Sequence, residues 1–148
     1  MKVKDLLKYK GYEVESVSPD TNVCLVLKTM NQKRIGSVMV LDDEGKIAGI
    51  LTERDLLYCR DSETEFTKMS VRDLMTPADK LIVGSPEDTL QYAMAMMTEH
   101  RIKHIPILEN GTLAGIVSIG DVVKAIMDKS VQQTKRLQDY LSGTYPEE

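Results

Sequence analysis

The chain of 148 residues contains few of the residue types from which reactive centres are usually built. It has two cysteines, two histidines, one phenylalanine and no tryptophan. Cys24 and Cys59 are far apart and lie in helical apolar patterns, which favours buried free thiols over a redox pair. With only His100 and His104 as imidazole groups, a zinc site has too few ligands. We therefore expect neither a disulfide nor a metal centre.

A concentrated positive charge and long apolar runs are also missing. The formal net charge is −4, with 19 basic residues, which argues against non-specific nucleic-acid binding. The longest apolar runs are strand-sized, and the N-terminal stretch MKVKDLLKYKG lacks the apolar segment of a secretory signal or a membrane span. We expect a soluble, cytoplasmic protein with no membrane partner. Its 42% hydrophobic residues suffice for the core of one domain or two tightly fused small ones.

One unit occurs twice along the chain. Residues from Ser18–Pro19 onward match those from Ser85–Pro86 onward, and Arg34 falls on Arg101. After a one-residue deletion in a turn, GILTERD at 49–55 aligns with GIVSIGD at 115–121. Two short leaders also agree, VKDLL at 3–7 and VRDLM at 71–75. The repetition therefore extends over most of the sequence.

Each copy predicts the same series of elements. SPDT at 18–21 and SPED at 85–88 predict serine N-caps with proline in the first helical position, and apolar residues at helical spacing follow. Two apolar runs joined by a glycine-containing turn then predict a hairpin, most strongly at Asn110–Gly111. We predict an α+β fold with two β-α-β-β-α repeats packed about a pseudo-twofold axis and a long C-terminal helix.

The predicted domain boundaries follow the order of the chain. The first repeat with its leader helix spans 1–75, a short linker spans 76–80, the second repeat spans 81–128 with its leader at 71–75, and a helical extension and tail span 129–148.

The strand-to-helix corner in each repeat has two possible interpretations. Thr52 with Asp55, and Ser118 with Asp121, have the spacing of a helix capping box. The same groups could instead form half of a nucleotide site, because a hydroxyl can bond a phosphate or sugar and a carboxylate can accept both protons of a ribose diol. Small residues beside the strand would let a flat base approach the backbone.

The order and duplication of these motifs resemble a tandem cystathionine-β-synthase-type (CBS) domain pair, or Bateman module. The resemblance covers about residues 3–128 and is carried by GILTERD, GIVSIGD, RIGSVMV, RIKHIPI and the two serine–proline segments. It implies a regulatory module with clefts for AMP, ADP, ATP, NAD(H) or S-adenosylmethionine. AMP is the first candidate, as a regulatory ligand and not as a catalytic cofactor.

The resemblance also implies the residues of the nucleotide site. Asp55 and Asp121 match the ribose-binding position, Thr52 and Ser118 its hydroxyl partner, and Arg54 a phosphate contact. The full predicted set comprises Ser37, Val38, Met39, Thr52, Arg54, Asp55, Lys103, His104, Ile105, Pro106, Ser118 and Asp121. Gly120, the counterpart of Arg54, cannot supply charge, so the two sites should differ. Lys103 and His104 either compensate in the second cleft or are a solvated and a structural side chain.

Three functions were weighed against these motifs. The first is a non-catalytic sensor that signals to a separate, unidentified protein. Enzyme activity is not expected, because P-loop, GxGxxG and nucleophile-elbow motifs are absent from the sequence. The third is a structural or interaction homodimer without a physiological nucleotide. A C-terminal helical stripe comprises Val123, Met127, Ser130, Thr134, Leu137 and Leu141. It is compatible with a long helix packed on its own subunit, but we favour a homodimer interface.

Overall fold

The computed structural model describes residues 1–58 and 65–143, so that the predicted thiol Cys59 and the last residues of the predicted tail lie outside the described residues. The helices are α1 (Val3–Lys10), α2 (Val23–Lys33), α3 (Glu53–Tyr58), α4 (Val71–Leu74), α5 (Leu90–His100) and α6 (Ile119–Ser142). The strands are β1 (Ser16–Val17), β2 (Ser37–Leu41), β3 (Ile47–Thr52), β4 (Thr76–Pro77), β5 (His104–Glu109) and β6 (Thr112–Ser118). Short 3-10 turns occupy Phe66–Lys68 and Ala78–Lys80. This arrangement confirms the predicted α+β fold.

The strands form two sheets, one in each repeat. The first sheet has the order β1-β2-β3-β4, with β1 parallel to β2 and the other pairs antiparallel. The second sheet consists of the antiparallel pair β5 and β6. Its predicted leading strand is reduced to one parallel bridge between Gly84 and Ile107. Thr76 and Pro77, predicted to be part of a linker, instead form the edge strand β4.

The second hairpin forms at the predicted turn. Glu109 pairs with Thr112, and the two intervening residues, Asn110 and Gly111, have φ angles of 52° and 78°. Both angles lie in the left-handed region that a two-residue type I′ turn requires, and asparagine and glycine tolerate this region best. The local sequence is therefore sufficient to explain this connection.

Each leader helix contributes to the hydrophobic core of the other repeat. Val3, Leu6 and Leu7 of α1 lie in a core with residues of the second repeat, which are Leu90, Ala93, Met97, Ile105, Ile107, Val117 and Val122. Val71 of α4 lies in a core with residues of the first repeat, which are Val26, Met30, Val38, Val40 and Leu51. Each leader thus packs on the repeat that it does not precede in the sequence. The exchange packs the two repeats together through their leaders.

The serine–proline segments form turns and not the predicted helix N-caps. Helix α2 begins after Asn22 and α5 after Thr89, whose side chains accept hydrogen bonds from the backbone of the first turn. The proline carbonyls of these segments instead accept from the leader helices, Pro86 from the N–H of Lys4 and Pro19 from the N–H of Arg72. The prediction was wrong by four residues because a turn with local side-chain hydrogen bonds competes with a helix start.

The repeated glycines of the corner motifs lie close to Thr76 of β4 and to Leu7 of α1. A Cβ on Gly49 would lie 2.3 Å from the carbonyl oxygen of Thr76. A Cβ on Gly115 would lie 2.8 Å from the Cδ2 atom of Leu7. Both distances are too short for real Cβ contacts. Gly49 meets fixed main-chain atoms and is strictly required, whereas Gly115 meets the end of a flexible side chain that can shift.

The C-terminal helix α6 extends well beyond the body of the domain. It has 24 residues, of which Val122 is buried, and it packs on α1, α5 and β6. From Met127 onward nearly every side chain is exposed, and the helix ends at Gly143, whose φ is 70°. The large apolar side chains that α6 leaves exposed are Val123, Met127, Val131, Leu137, Tyr140 and Leu141. An apolar helix face therefore remains uncovered in the single chain.

Candidate functional site

The first corner lies where β3 enters α3 and is organised around the half-buried carboxylate of Asp55. The backbone N–H of Thr52 donates to Asp55 Oδ2 at 2.9 Å, and the Thr52 hydroxyl lies 3.2 Å from the same oxygen. The hydroxyl of Thr76, from β4, donates to Oδ1 at 3.4 Å. The corner is therefore a capping box that has an additional hydroxyl contact from the second leader.

The second corner lies where β6 enters α6 and has the same core geometry around Asp121. The N–H of Ser118 donates to Asp121 Oδ2 at 2.9 Å, and the Ser118 hydroxyl accepts from the N–H of Asp121 at 3.1 Å. Here the additional contact comes from Lys10, at the end of α1, whose ammonium lies 2.6 Å from Oδ2. The same ammonium donates to the carbonyl oxygen of Ile116 at 2.7 Å.

The two carboxylates have opposite pKa shifts. Burial raises the pKa of Asp55, and the hydrogen bonds from Thr52 and Thr76 only partly offset this effect. Burial also acts to raise the pKa of Asp121, but the hydrogen bond from Lys10 and the backbone hydrogen bond at Ser118 outweigh it, so the pKa lies below its usual value. The two corners therefore share a backbone geometry and differ in electrostatics.

A central strand begins beside each corner. Ser37, the first residue of β2, pairs with Thr52, and His104, the first residue of β5, pairs with Ser118. The structure thus brings these predicted site residues together within each repeat. The side chains that follow along the two strands, namely Val38, Met39, Ile105 and Pro106, are buried.

His104 lies at the junction of the two repeats. Its imidazole Cε1 and Nε2 atoms lie so near Gly36 that a Cβ on that glycine would be 3.0 Å from both. Burial lowers the pKa of His104, with smaller and opposing contributions from its charged neighbours, which are Glu53, Lys10, Asp121 and Lys103. His104 therefore packs against Gly36 at the repeat junction, whereas Lys103 is exposed.

Arg54 extends from the first corner to the second repeat. Its guanidinium donates a hydrogen bond to the carbonyl oxygen of Arg101. Arg101 ends helix α5 in the left-handed conformation, with a φ of 54°. A guanidinium at a helix C-terminus interacts favourably with the unpaired carbonyls there. The residue predicted to contact a phosphate thus connects the two repeats in this structure.

Lys10 and Thr76 were not recognised as site residues from the sequence. Each belongs to a segment that precedes one repeat in the sequence but contacts the corner of the other repeat. Aligning the leaders VKDLLKYK and VRDLMTPA pairs Lys8 with Thr76 and Lys10 with Ala78, so it does not identify them, and the exchange that brings them to the corners has no local signature.

A groove of about 890 Å³ lies between α1 and α6 and includes Lys10 and Asp121 in its lining. Its size is within the range of small-molecule sites. Space for a ligand therefore exists beside the second corner.

Two further observations on the described residues concern metal sites and membrane-spanning helices. Within residues 1–58 and 65–143, three or more histidine, cysteine, aspartate or glutamate side chains do not converge as a metal site would need. Among the helices of this same part of the chain, none is both long and apolar enough to cross a membrane. Cys24 is free and half-buried, and its thiol lies 3.8 Å from the carbonyl oxygen of Phe66.

The fold and the paired corners define a protein made of two tandem α+β repeats with exchanged leader helices. The sequence model of the CBS domain matches residues 3–61 and 71–128, and the chain belongs to the CBS domain family. This finding confirms the resemblance to a tandem CBS pair.

Relatives and solved structures match over most of the chain. The mitochondrial CBS domain-containing protein CBSX3 of Arabidopsis thaliana is 35% identical over 152 residues, covering 97% of this chain and 73% of that protein. The crystal structure of a CBS-domain containing protein from Agrobacterium tumefaciens is 41% identical, with a TM-score of 0.79 over 84% of this chain and 92% of that chain. The CBS domain pair of protein MJ0100, in complex with 5′-methylthioadenosine and S-adenosyl-L-methionine, is 19% identical, with a TM-score of 0.75 over 87% and 98%.

Proposed function

We propose that this protein is a non-catalytic regulatory module that binds an adenosine-containing ligand at its strand-to-helix corners and transmits the binding to a separate protein. The observation that carries the proposal is the duplicated corner, in which a half-buried carboxylate is held in place by a neighbouring hydroxyl residue. An ionised carboxylate accepts two hydrogen bonds readily and matches the two hydroxyls of a ribose. The ligands of the MJ0100 domain pair, which both contain adenosine, support this assignment.

Within this proposal each predicted residue has a role that its position permits. Asp55 and Asp121 accept from the ribose hydroxyls, and Thr52 and Ser118 hold these carboxylates in place. The base lies along the starts of β2 and β5 and is contacted by main-chain groups, because the side chains there are buried. AMP is the first ligand to test. Arg54 would reach a phosphate only by leaving the carbonyl of Arg101.

Signalling requires that the ligand prefer one conformation of the module. By linkage, a ligand that binds two conformations equally well shifts neither. Arg54 connects the first corner to the second repeat, so that a ligand which draws it away would alter the junction of the repeats. We propose that this change is recognised by a partner protein. A cytoplasmic location remains a prediction, and the relative from Arabidopsis thaliana is mitochondrial.

A thermal-shift experiment with nucleotide-stripped protein tests the proposal. A ligand that binds only the folded state raises the unfolding midpoint. We expect a rise with AMP or another adenosine compound, none with a guanosine control, and loss of the rise in Asp121→Ala or Asp55→Ala. If millimolar concentrations of AMP, ADP, ATP, NAD(H) and S-adenosylmethionine all leave the midpoint unchanged, the proposal is refuted.

A matched control separates a ligand site from a helix cap. Ser70 and Asp73 form a capping box with the same distances, with the N–H of Ser70 donating to Asp73 Oδ2 at 2.9 Å. Asp73 is exposed and belongs to α4, not to a corner after a strand. Asp73→Ala should therefore lower stability by about 1 kcal/mol, as loss of a cap does, and leave the ligand-induced rise intact.

A structural homodimer is the second candidate function, and the exposed apolar face of α6 favours it. Met127, Leu137 and Leu141 are each more than half exposed on that helix. We expect the wild type to sediment as a dimer, Leu137→Glu as a monomer, and Lys135→Glu, a change at a polar position, as a dimer. A dimer without any nucleotide response would favour this candidate, and a monomeric wild type would exclude it.

A further inference from the structure

Lys10 contacts the second corner although α1, to which it belongs, precedes the first repeat in the sequence. It is the last residue of α1, and the chain turns away at Gly11, whose φ is 104°. Its ammonium makes two short contacts, to Asp121 Oδ2 and to the carbonyl oxygen of Ile116. The side chains of Lys10 and Asp121 are only 30% and 25% exposed, so this ion pair is partly shielded from solvent. Such a contact is stronger than one at an open surface.

The first corner has a neutral group beside its carboxylate. There β4, which follows the second leader, supplies the Thr76 hydroxyl, at 3.4 Å from Asp55 Oδ1. A hydroxyl at this distance is displaced at little cost because water can replace its weak hydrogen bond. The exchange of leaders therefore gives two otherwise similar carboxylates different partners, one cationic and one neutral.

We infer that Lys10 makes the second corner selective for adenosine ligands that carry a phosphate over uncharged adenosine ligands. The inference rests on the proposed function, since it assumes that ribose hydroxyls bind Asp121. A ribose diol that donates to both oxygens of Asp121 competes with the ammonium of Lys10 for Oδ2. A phosphate on the same ligand gives the ammonium a new anionic partner, whereas an uncharged ligand leaves a half-buried charge without one.

The structure allows the ammonium to make this exchange. The lysine side chain is a flexible stem with a terminal point charge, so the ammonium can move while α1 stays in place. The Ile116 carbonyl keeps one of its hydrogen bonds, and the adjoining groove between α1 and α6 provides space for a ligand. A phosphate-bearing ligand thus replaces the Lys10–Asp121 contact with a new ion pair, whereas an uncharged ligand replaces it without one and binds more weakly.

Isothermal titration with AMP and adenosine tests the inference, because these two ligands differ only in the phosphate. The parent protein carries Asp55→Asn, which weakens the first corner so that the second is measured. We expect the parent to bind AMP about tenfold or more tightly than adenosine, a difference equivalent to about 1.4 kcal/mol. Lys10→Met should weaken the binding of AMP, strengthen the binding of adenosine and bring the two dissociation constants close together. Lys10→Arg keeps the charge and should preserve the preference.

Lys8→Met is the matched control, because Lys8 is an exposed lysine of the same helix. It should leave the preference for AMP unchanged, and circular dichroism should show that all variants are folded. The inference would be overturned if Lys10→Met left the ratio of the adenosine and AMP dissociation constants unchanged, or if Lys8→Met lost the preference for AMP to the same extent. The proposed function would not be affected by either result. Absence of binding of both ligands to the wild type would overturn the inference, and the proposed function would fail with it only if ADP, ATP, NAD(H) and S-adenosylmethionine also leave the unfolding midpoint unchanged.

Discussion

Replacing Gly49 with alanine is expected to destabilise the protein by about 3 kcal/mol. The new Cβ would lie 2.3 Å from the carbonyl oxygen and 3.2 Å from the carbonyl carbon of Thr76. These are main-chain atoms and cannot rotate away, so the pairing of Gly49 with Pro77 and of Ile50 with Thr76 must open. Overpacking of this kind costs about 1–3 kcal/mol, and each lost hydrogen bond adds about 1 kcal/mol. Urea unfolding followed by circular dichroism measures the loss.

Two other glycines provide a graded comparison in the same assay. Gly115→Ala would meet the Cδ2 atom of Leu7 at 2.8 Å, and because this atom ends a flexible side chain we expect a smaller loss, about 1–2 kcal/mol. Gly120→Ala has only the Ser118 hydroxyl nearby, at 3.7 Å, and should leave stability unchanged or slightly higher because alanine favours a helix. The reasoning fails if the free energy of unfolding of Gly49→Ala is within about 0.5 kcal/mol of the wild-type value. It also fails if Gly120→Ala lowers the free energy of unfolding as much as Gly49→Ala does.

Two further predictions concern ionisation. Because burial lowers the pKa of His104, the neutral imidazole stabilises the fold above about pH 6.5, and this contribution is lost as the pH falls through the lower pKa of the folded state. Thermal unfolding at pH 7.5 and pH 5 should show this loss in the wild type and a smaller one in His104→Gln; an equal loss in both would contradict it. At pH 7, Asp121→Asn should lower the unfolding temperature more than Asp55→Asn. The pKa of Asp121 is lowered in the folded state, so its ionised form stabilises the fold above about pH 4. The pKa of Asp55 is raised in the folded state, so its ionisation opposes folding. The reverse order would contradict the assignment of Lys10 as the partner of Asp121.

Much of the fold could be predicted from local patterns. The buried stripe of α2, the turn at Asn110–Gly111 and the capping box at Ser118 each depend on residues a few positions apart. Local rules failed where two local structures compete for the same residues. The segment at Ser85–Pro86 satisfies the rule for a helix start, but forms a turn whose proline carbonyl binds the backbone of α1.

The candidate site was predicted only in part for the same physical reason. Asp55 and Asp121 stand at corners because their capping boxes are local. Their partners were not predictable, since contact with Thr76 or Lys10 depends on where a leader helix packs. Arg54 was assigned to a phosphate from the family resemblance, whereas its contact with the carbonyl of Arg101 depends on how the second repeat packs beside the first corner.

The amino-acid sequence by itself determined the duplicated α+β units, their hairpins and the position of a hydroxyl and a carboxylate at each corner, because these follow from turn chemistry, capping and periodicity over short stretches of chain. Only the tertiary structure decided that the leaders exchange repeats. Hydrophobic burial sets that exchange, since α1 covers its apolar face on the second core. The two like corners differ because this packing brings Lys10 to Asp121, 111 residues away along the chain, and leaves a hydroxyl beside Asp55.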